Sequence, residues 1–390
     1  MNKIGEQSSG RLFSLDLLRG LDMFLLVVVG GILRAADKVW GLPPCVMEQM
    51  RHPWGGFTLW DLIMPLFIFM CGAAMPFALG KRMKDGRPTV AFWRHVAYRV
   101  ALLWVLGMVN QGQLLTLDPM RISPFNNTLQ TIAIGYLISA FVMCVPSKWI
   151  RRAAPLALMG IYTVLLAWNG DYSKEGNFAM RFELKVLSLI VPDGSEAYRL
   201  FGYTWFLTAF MFGAMTLIGF NATLVLKSRL KPWGKVVALA GAGSAMVVCG
   251  WAVTPVIPMI KQIYTLSFTL SAMGCSCILL AVLYALTDIC GFRCGTGVFV
   301  LYGQFALWAY MAGVFRPAFA ELSKILFGGL SRWIGQEPMA FVYAIAYVGW
   351  VTLLLAIRRR FSGRMCCYDK EISAKNWQFA DSSTDECKVR

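Results

Sequence analysis

The stretch Phe57–Gly80 reads FTLWDLIMPLFIFMCGAAMPFALG, and Asp61 is its only charged residue. A helix needs about 20 mainly apolar residues to cross the hydrocarbon core of a bilayer, so this stretch is long enough for one span. The whole chain has the same bias, because 57% of its 390 residues are hydrophobic and only 15% are charged. Soluble proteins are about a quarter charged, so the composition excludes a soluble enzyme, a disordered chain and a disulfide scaffold. The sequence therefore predicts an all-α, polytopic membrane protein.

Apolar runs of similar length recur along the chain and predict about ten transmembrane helices. In order, they are approximately Ser14–Leu33, Phe57–Gly80, Phe92–Leu115, Asn127–Val145, Ala153–Trp168, Tyr203–Leu226, Val236–Val253, Leu266–Thr287, Gly297–Phe315 and Met339–Ile357. Eleven spans are the alternative, which requires one further, hidden helix. Residues 1–365 are then one transmembrane domain, and residues 366–390 are a cytoplasmic C-terminal tail.

The basic residues predict how these spans are oriented. The chain has 37 Lys and Arg against 21 Asp and Glu, a formal net charge of +16. Many of them lie in the second, fourth and sixth connections and after the last span: Lys81, Arg82, Lys84, Arg87, Lys148, Arg151, Arg152, Lys227, Arg229, Lys231, Lys235, Arg358, Arg359, Arg360 and Arg364. Cytoplasmic loops of membrane proteins carry such an excess, so both termini are predicted to be cytoplasmic. The long connections Arg34–Gly56, Asn169–Gly202 and Arg316–Pro338 are then external. No nucleic acid partner is expected, because no basic stripe lies on a soluble fold.

Ionisable residues at the predicted cytoplasmic end of the bundle are candidates for binding an anion. Asp16, Arg19 and Asp22 are three residues apart and share one helical face in span one. Such groups are costly at membrane depth and by default suggest function. The alternative is an Asp–Arg–Asp cluster that only ties span one to a neighbour. In span three, Arg99 lies deeper than the flanking Arg94 and is placed to reach a phosphate.

A second group of candidates lies at the predicted external end. The segment Gln49–Pro65, QMRHPWGGFTLWDLIMP, contains His52, one of only two histidines in the chain. Histidine titrates near neutral pH and is the commonest general base, and Asp61 is close enough in sequence to orient it. The alternative is an interfacial histidine beside the membrane's aromatic belt, which residue type alone favours.

Amide and hydroxyl side chains near the same end suit hydrogen bonding to a sugar or a carbonyl group. The amides include Asn110, Asn127 and Gln130, and Lys261 and Tyr264 lie at the same end, just before span eight. The longest connection also contains an apolar segment from Phe178, for which a plain surface helix is favoured over an interfacial one. The two histidines are far apart in sequence, so no zinc site is expected.

Five segments together resemble the heparan-α-glucosaminide N-acetyltransferase family, including its bacterial relatives, within the wider transmembrane acyltransferases. The segments are Ser14–Gly20, Gln49–Phe67, Leu129–Tyr136, Pro258–Phe268 and, more weakly, Tyr302–Tyr310. The stretch from His52 through Trp54 and Gly56 to Asp61 is the most specific. The chain departs from the family pattern at Pro53, Thr131 and Phe305.

The resemblance implies an enzyme that moves an acetyl group from cytoplasmic acetyl-CoA to an amino sugar or other glycan acceptor on the external side. His52 matches the family's catalytic histidine, as acetyl carrier or general base, with Asp61 beside it. The acceptor would then meet Trp54, Asn110, Asn127, Gln130, Lys261 and Tyr264. Acetyl-CoA would be held by Asp16, Arg19 and Arg99, and no metal is expected.

The resemblance also bears on location and partners. A multi-pass protein of the bacterial cytoplasmic (inner) membrane is expected, since no large luminal domain precedes the first span. The lipid bilayer and the glycan acceptor are the expected partners, and a homodimer is left open. The competing function is a membrane transporter of sugars or related solutes without acyl transfer, which buried charges and kinked helices also fit.

Overall fold

Helices account for nearly all secondary structure in the described part of the chain, and each of the ten apolar runs lies on one or more of them. The computed structural model describes residues 12–84, 87–125, 127–168, 170–192, 195–199, 203 and 205–385, with the side chains of Arg199 and of residues beyond 362 left out. Most of the predicted tail, including Cys366 and Cys367, therefore lies outside the described side chains.

Seventeen α-helices and one two-stranded hairpin follow one another along the described chain. The first nine helices are α1 (Phe13–Phe24), α2 (Gly30–Trp40), α3 (Pro44–Glu48), α4 (Ile63–Ala78), α5 (Val90–Asn110), α6 (Thr128–Met143), α7 (Lys148–Ala167), α8 (Phe178–Leu187) and α9 (Glu196–Arg199). The others are α10 (Ala209–Leu226), α11 (Pro232–Val253), α12 (Leu266–Leu283), α13 (Gly297–Gln304), α14 (Ala306–Met311), α15 (Arg316–Phe327), α16 (Ser331–Ile334) and α17 (Met339–Asp385). The strands β1 (Met83–Lys84) and β2 (Arg87–Pro88) pair antiparallel between α4 and α5.

Polar side chains cap the N-termini of several of these helices. Thr89 accepts a hydrogen bond from the Phe92 backbone N–H at 3.3 Å at the start of α5. Asn177 accepts one from Met180 N–H at 2.8 Å at the start of α8. A Ser, Thr or Asn at this position satisfies a backbone donor that the helix cannot. Short π- and 3-10-helical turns also occur, and one of them, the π-helical turn Leu25–Val29, joins α1 to α2 without a break.

The helices confirm an all-α protein of the membrane type. Six helical segments among the described residues are long and apolar enough to cross a bilayer: Leu59–Ala78, Lys148–Ala167, Ala209–Leu226, Pro232–Val253, Leu266–Ile289 and Met339–Ser362. A seventh is counted if Gly297–Gln304 and Ala306–Ile334, bent by 80° relative to each other, form one span. The other predicted spans coincide with α1–α2, with α5 and with the 16-residue α6. Ten spans and cytoplasmic termini stay predictions.

Helix α4 lies at the centre of the bundle, where it packs against α10, α6, α12 and α1. Its contact with α10 depends on two glycines that face each other's backbone. A Cβ atom on Gly72 would collide with the Thr216 carbonyl oxygen, and one on Gly219 would collide with the Phe69 carbonyl oxygen. Small residues of this kind let helix backbones approach closely in a membrane. The centre of the bundle is therefore a tightly fitted helix pair.

Contacts between connections show which of them share one end of the bundle. At one end, Gly56 N–H donates to the Met259 carbonyl at 2.8 Å, and the Trp54 indole donates to the Tyr172 carbonyl at 3.1 Å. We call this the His52 end. At the opposite end, Ser14 N–H donates to Asp288 at 3.0 Å, and the Lys227 ammonium lies 4.8 Å from the Phe77 ring centroid.

The long connections are more helical than the sequence indicated. Helix α3 lies in the first and α8 and α9 in the second, while α15 and α16 occupy most of the third. The segment from Phe178 forms a helix, α8, with Arg181, Phe182 and Lys185 exposed. Glu183 is buried on α8, together with Ala179, Met180 and Leu187. The face of α8 that holds Glu183 packs into the protein, where the Glu183 carboxylate binds backbone N–H groups just before α10.

Candidate functional site

His52, Asp61 and Lys261 form a compact triad at the His52 end. The His52 Nδ1 atom lies 2.6 Å from Asp61 Oδ1. The Lys261 Nζ atom lies 3.0 Å from the same Asp61 oxygen and 3.1 Å from His52 Nδ1. The Asp61 side chain is 1% exposed and that of Lys261 is 6% exposed, whereas that of His52 is 38% exposed. The imidazole is thus the accessible member of a buried, charge-balanced cluster.

Asp61 is held in place by the turn that begins the second apolar run. Thr58 and Asp61 form a capping box, in which Asp61 Oδ2 accepts from Thr58 N–H at 3.3 Å. The Thr58 hydroxyl in turn donates to the Arg51 carbonyl at 3.0 Å, which ties the turn to the residue before His52. A Thr and an acidic residue three positions apart are the sequence signature of this motif at a helix start. One Asp61 oxygen therefore caps the helix, and the other contacts His52 and Lys261.

Lys261 comes from the connection between α11 and α12, 209 residues away from His52 in sequence. Thr265 braces this connection, because its hydroxyl donates to the Pro258 carbonyl at 2.8 Å and accepts from Ile260 N–H at 3.0 Å. Burial lowers the pKa of the Lys261 ammonium, and the charge of Asp61 opposes this shift. The ion pair with Asp61 offsets part of the cost of burying the Lys261 charge at this point.

Tyr264 anchors the same connection within the protein. It has a positive φ of 45°, which is uncommon for a residue other than glycine. Its hydroxyl lies 2.8 Å from the Met64 sulfur, and its ring packs edge-on against Phe212 at 4.9 Å between centroids. Burial raises the pKa of the Tyr264 phenol well above its ordinary value. The predicted substrate-binding residue Tyr264 is therefore placed behind the site, where it fixes the turn that carries Lys261.

The contacts of His52 Nδ1 select one form of the neutral ring. An ionised carboxylate can only accept hydrogen bonds, so at 2.6 Å from Asp61 the Nδ1 atom carries the proton. The Lys261 ammonium donates to Asp61. Because Nδ1 already carries a proton, the 3.1 Å between Lys261 Nζ and Nδ1 is a close contact and not a hydrogen bond. The other ring nitrogen, Nε2, consequently keeps a free lone pair. Such a nitrogen can act as a base or as a nucleophile.

A cavity of about 580 Å³ opens beside the triad. Four of the residues predicted at this end line it: His52, Asn110, Asn127 and Lys261. Asp61 lies behind His52. Trp54, Gln130 and Tyr264 are not among the lining residues, and the Trp54 indole N–H is engaged by the Tyr172 carbonyl. The structure thus separates the predicted residues into a cavity wall and a supporting layer.

The three predicted amide side chains differ in how many of their hydrogen-bonding groups are already used within the protein. Asn127 caps α6 by accepting from Leu129 N–H at 2.7 Å, and it donates to the Gly107 carbonyl at 2.9 Å. Gln130 completes that cap by accepting from Asn127 N–H at 3.1 Å. The Asn110 amide has no hydrogen-bond partner among the described residues and faces the cavity. Of the three, Asn110 is the side chain free to bind a ligand.

Several cavity residues were missed by the sequence analysis. Arg34 and Arg316 line the cavity, as does Tyr310, which hydrogen-bonds Thr128. Arg34 begins one of the long connections predicted to be external, and Arg316 begins another. The positive-inside rule does not predict cations in external connections. That departure is a signal by which they could have been found. Tyr310 has no comparable signal, because aromatic residues are frequent throughout the apolar runs.

Glu183 was also missed, and it shapes the cavity from behind. Its carboxylate accepts backbone N–H groups of Trp205 and, at 3.0 Å, of Leu207, just before α10. Burial raises the pKa of Glu183 to about 7, although these backbone donors favour the ionised form. Trp205 lines the cavity, so Glu183 on α8 positions part of the cavity wall.

The predicted cofactor-binding residues lie at the opposite end of the bundle. Arg19 and Asp16 are 3.5 Å apart on α1. The Arg99 guanidinium lies 4.7 Å from the Tyr136 ring centroid, and both arginines interact electrostatically with Cys71. None of the three predicted residues lines the cavity beside His52. Arg19 and Arg34 are fifteen residues apart on one continuous helix, which corresponds to roughly 22 Å.

Comparison with known families bears on the first part of the chain. Residues 11–115 match the model of DUF5009, a domain of unknown function. This region includes both His52 and Asp61, as well as Arg19 and Arg99. No curated protein matches the chain. Among the described residues, no group of three or more His, Cys, Asp or Glu side chains is arranged to hold a metal ion.

Proposed function

We propose that the protein is a membrane acyltransferase that moves an acetyl group from cytoplasmic acetyl-CoA to an amino sugar or related glycan on the other side of the membrane. The observation that carries the proposal is the pairing of His52, in the cavity wall, with the buried Asp61 behind it: Nδ1 lies 2.6 Å from Asp61, and Nε2 is left available. A base or nucleophile oriented by a buried third group is the arrangement that acyl transfer requires. The resemblance of the His52 segment to membrane N-acetyltransferases supports the same chemistry.

Two routes are open to this histidine. In the first, Nε2 attacks the thioester carbonyl, the C–S bond breaks and the CoA thiolate leaves; the acceptor amine then displaces the histidine, and its proton goes to solvent or Nε2. In the second, the neutral acceptor amine attacks the thioester directly while Nε2 takes its proton; the C–S bond breaks and CoA leaves as its thiolate. Asn110 is placed to donate a hydrogen bond to the oxyanion formed in either route, an effect of about 3 kcal/mol for one well-placed donor.

The two ends of the bundle fit two different substrates. Arg19 and Arg99 converge near Cys71 and supply cations for the phosphates of CoA at the predicted cytoplasmic end. The amino sugar would occupy the cavity of about 580 Å³ at the other end. The thioester of acetyl-CoA would extend through the bundle toward His52, and the highly charged nucleotide would stay inside.

The test is an acetyl-transfer assay with purified protein, radiolabelled acetyl-CoA and a panel of amines and hydroxyl compounds, including glucosamine. We expect label in the sugar product, and its loss in His52→Ala. His95→Ala is the matched control, because His95 is the other histidine and lies on α5 away from the cavity. Unchanged transfer in His52→Ala would exclude this site.

A transporter is the second candidate, favoured by one specific observation. Helices α13 and α14 are separated at Phe305. The segments on either side, Gly297–Gln304 and Ala306–Ile334, are bent by 80° relative to each other. Broken helices are common at the binding sites of secondary transporters. Uptake of labelled glucosamine into proteoliposomes, without acetylation of the sugar, would favour this candidate over the acyltransferase.

A further inference from the structure

Two arginines that the proposed chemistry does not use converge on the cavity beside His52. Arg34 on α2 and Arg316 at the start of α15 both line this cavity and a second one of about 300 Å³. The charge of Arg316 acts on Arg34, so the two guanidinium groups are close enough to repel each other. The Arg316 guanidinium carbon lies 5.5 Å from the Tyr347 ring centroid, which orients it.

No described acidic side chain neutralises either arginine. Within the part of the chain that the structure describes, neither forms an ion pair. Asp37, less than one turn further along α2, accepts instead from Leu42 N–H at 3.0 Å. The described lining of the two cavities contains no Asp or Glu, whereas Lys38 adds a third cation. Like charges that face one space are stabilised by an anion bound between them.

Phosphate is the anion that fits this arrangement. A guanidinium presents a planar fork of donors that matches phosphate oxygens, and two of them can balance a dianion. Beyond the arginines, the second cavity runs between α2, α15 and α17. Small apolar side chains make up much of its wall: Ala35, Ala320, Ala340, Ala344 and Val348. A group attached to the far side of the phosphate would lie against this apolar wall.

We propose that the acceptor is a phosphorylated amino sugar, bound with its phosphate between Arg34 and Arg316 and its amine toward His52. This inference rests on the proposed acyltransferase function and adds the chemical class of the acceptor. The phosphate belongs either to a soluble sugar phosphate or to a sugar linked through phosphate to a lipid chain in the second cavity.

Calorimetric binding to the purified protein in detergent tests the site without requiring turnover. The probes are glucosamine, glucosamine 1-phosphate and a glucosaminyl phosphate carrying an isoprenoid chain. We expect Arg34→Gln and Arg316→Gln each to raise the Kd for glucosamine 1-phosphate about tenfold or more, because each loses a charge-assisted hydrogen bond. The Kd for glucosamine should stay the same, which also shows that the variants are folded. Arg332→Gln is the control, since Arg332 lines neither cavity.

The outcomes separate the sources of phosphate and the two proposals. Tighter binding of the isoprenoid probe supports a lipid-linked acceptor, and equal binding supports a soluble one. Equal affinity of the unmodified protein for glucosamine and for glucosamine 1-phosphate would overturn the inference. So would a result in which CoA displaces glucosamine 1-phosphate from the unmodified protein but does not bind to Arg34→Gln, because the arginines would then belong to the CoA site. If the arginines matter for phosphate but no acetyl is transferred, the enzyme proposal fails. If acetyl is transferred and the arginines are without effect, only the phosphate site fails.

Discussion

Asp61 performs two tasks with one side chain, and this sets what its replacement should do. One oxygen caps the helix that begins span two, and the other holds His52 Nδ1 in its protonated form. Lys261 balances the carboxylate charge at 3.0 Å. The reactivity of the exposed Nε2 therefore depends on a residue that is itself almost completely buried.

Replacing Asp61 with Asn should lower kcat for acetyl transfer by on the order of a hundredfold, the usual size of a positioned acid–base contribution. The amide can donate to Nδ1 and so move the ring proton to Nε2, where it blocks the lone pair. KM for the acceptor should change little, because Asp61 does not line the cavity. Asp118→Asn is the control, since the Asp118 side chain is 45% exposed and contacts Arg121, at 3.7 Å, and Met120 N–H, at 3.0 Å, away from the cavity. Steady-state kinetics showing an unchanged kcat in Asp61→Asn would contradict this role.

Pairs of helices, rather than single residues, decide how rigid the scaffold of the site is. α4, which follows Asp61, meets α10 through Gly72 and Gly219, and each glycine lies against a carbonyl of the other helix. α10 begins where Glu183 of α8 binds the backbone of Trp205 and Leu207. Support for the cavity thus passes from α8 through α10 to α4.

Gly72→Ala should lower the thermal stability of the purified protein, at a cost of about 1–3 kcal/mol for forcing a methyl group into a filled interface. The added Cβ meets the rigid Thr216 carbonyl and not a movable side chain, so the helices must separate. Gly160→Ala on α7 is the matched control, because a Cβ atom added there would have no neighbour within 4 Å outside its own helix. Equal unfolding temperatures for the two variants would show that this contact is not limiting.

Glu183 should make stability depend on pH in a defined direction. Burial raises its pKa from the ordinary 4.5 to about 7, so between these values the folded protein holds a proton that the unfolded chain releases. Stability is therefore greatest at the acidic side of this window and falls as pH rises toward 7, by at most about 3 kcal/mol from this group. Glu183→Gln, which cannot ionise, should flatten the change in unfolding temperature between about pH 4.5 and pH 7, the window set by these two pKa values. A variant with the same slope as the unmodified protein would contradict this assignment.

Across the whole molecule, the separation of its two ends is the property that gives the proposed reaction a direction. Ser14 meets Asp288 at one end, and His52 meets Lys261 at the other. The predicted orientation puts the first of these ends in the cytoplasm, on the basis of the Lys and Arg residues in alternate connections.

Native cysteines can test this orientation. Cys45 is exposed at the His52 end, and Cys290 and Cys294 are exposed in the connection beside Asp288. In variants that keep one of these three cysteines, a membrane-impermeant maleimide should label Cys45 on intact cells. It should label Cys290 and Cys294 only after the membrane is opened. The opposite pattern would reverse the predicted topology and place His52 inside.

The helices and the His52–Asp61 pair could be predicted from the sequence because both depend on short-range information. A run of apolar residues requires a helix in lipid, and His52 is only nine residues from Asp61. Lys261 could be named through a resemblance, but its contact with His52 joins residues 209 apart. Arg34 and Arg316 stand out in the sequence only as cations in connections predicted to be external, and the cavity that they share exists only after folding. Glu183 escaped because a single acid on an amphipathic helix normally faces water.

The balance between Asp61 and Lys261 has a consequence for a protein that works in an energised membrane. One unit of unbalanced charge changes in energy by about 2.3 kcal/mol for every 100 mV of membrane potential that it senses. The carboxylate and the ammonium lie 3.0 Å apart and carry opposite charges that cancel. The buried pair therefore has no net charge for the voltage to act on, and we expect the position of His52 beside it to be insensitive to the membrane potential.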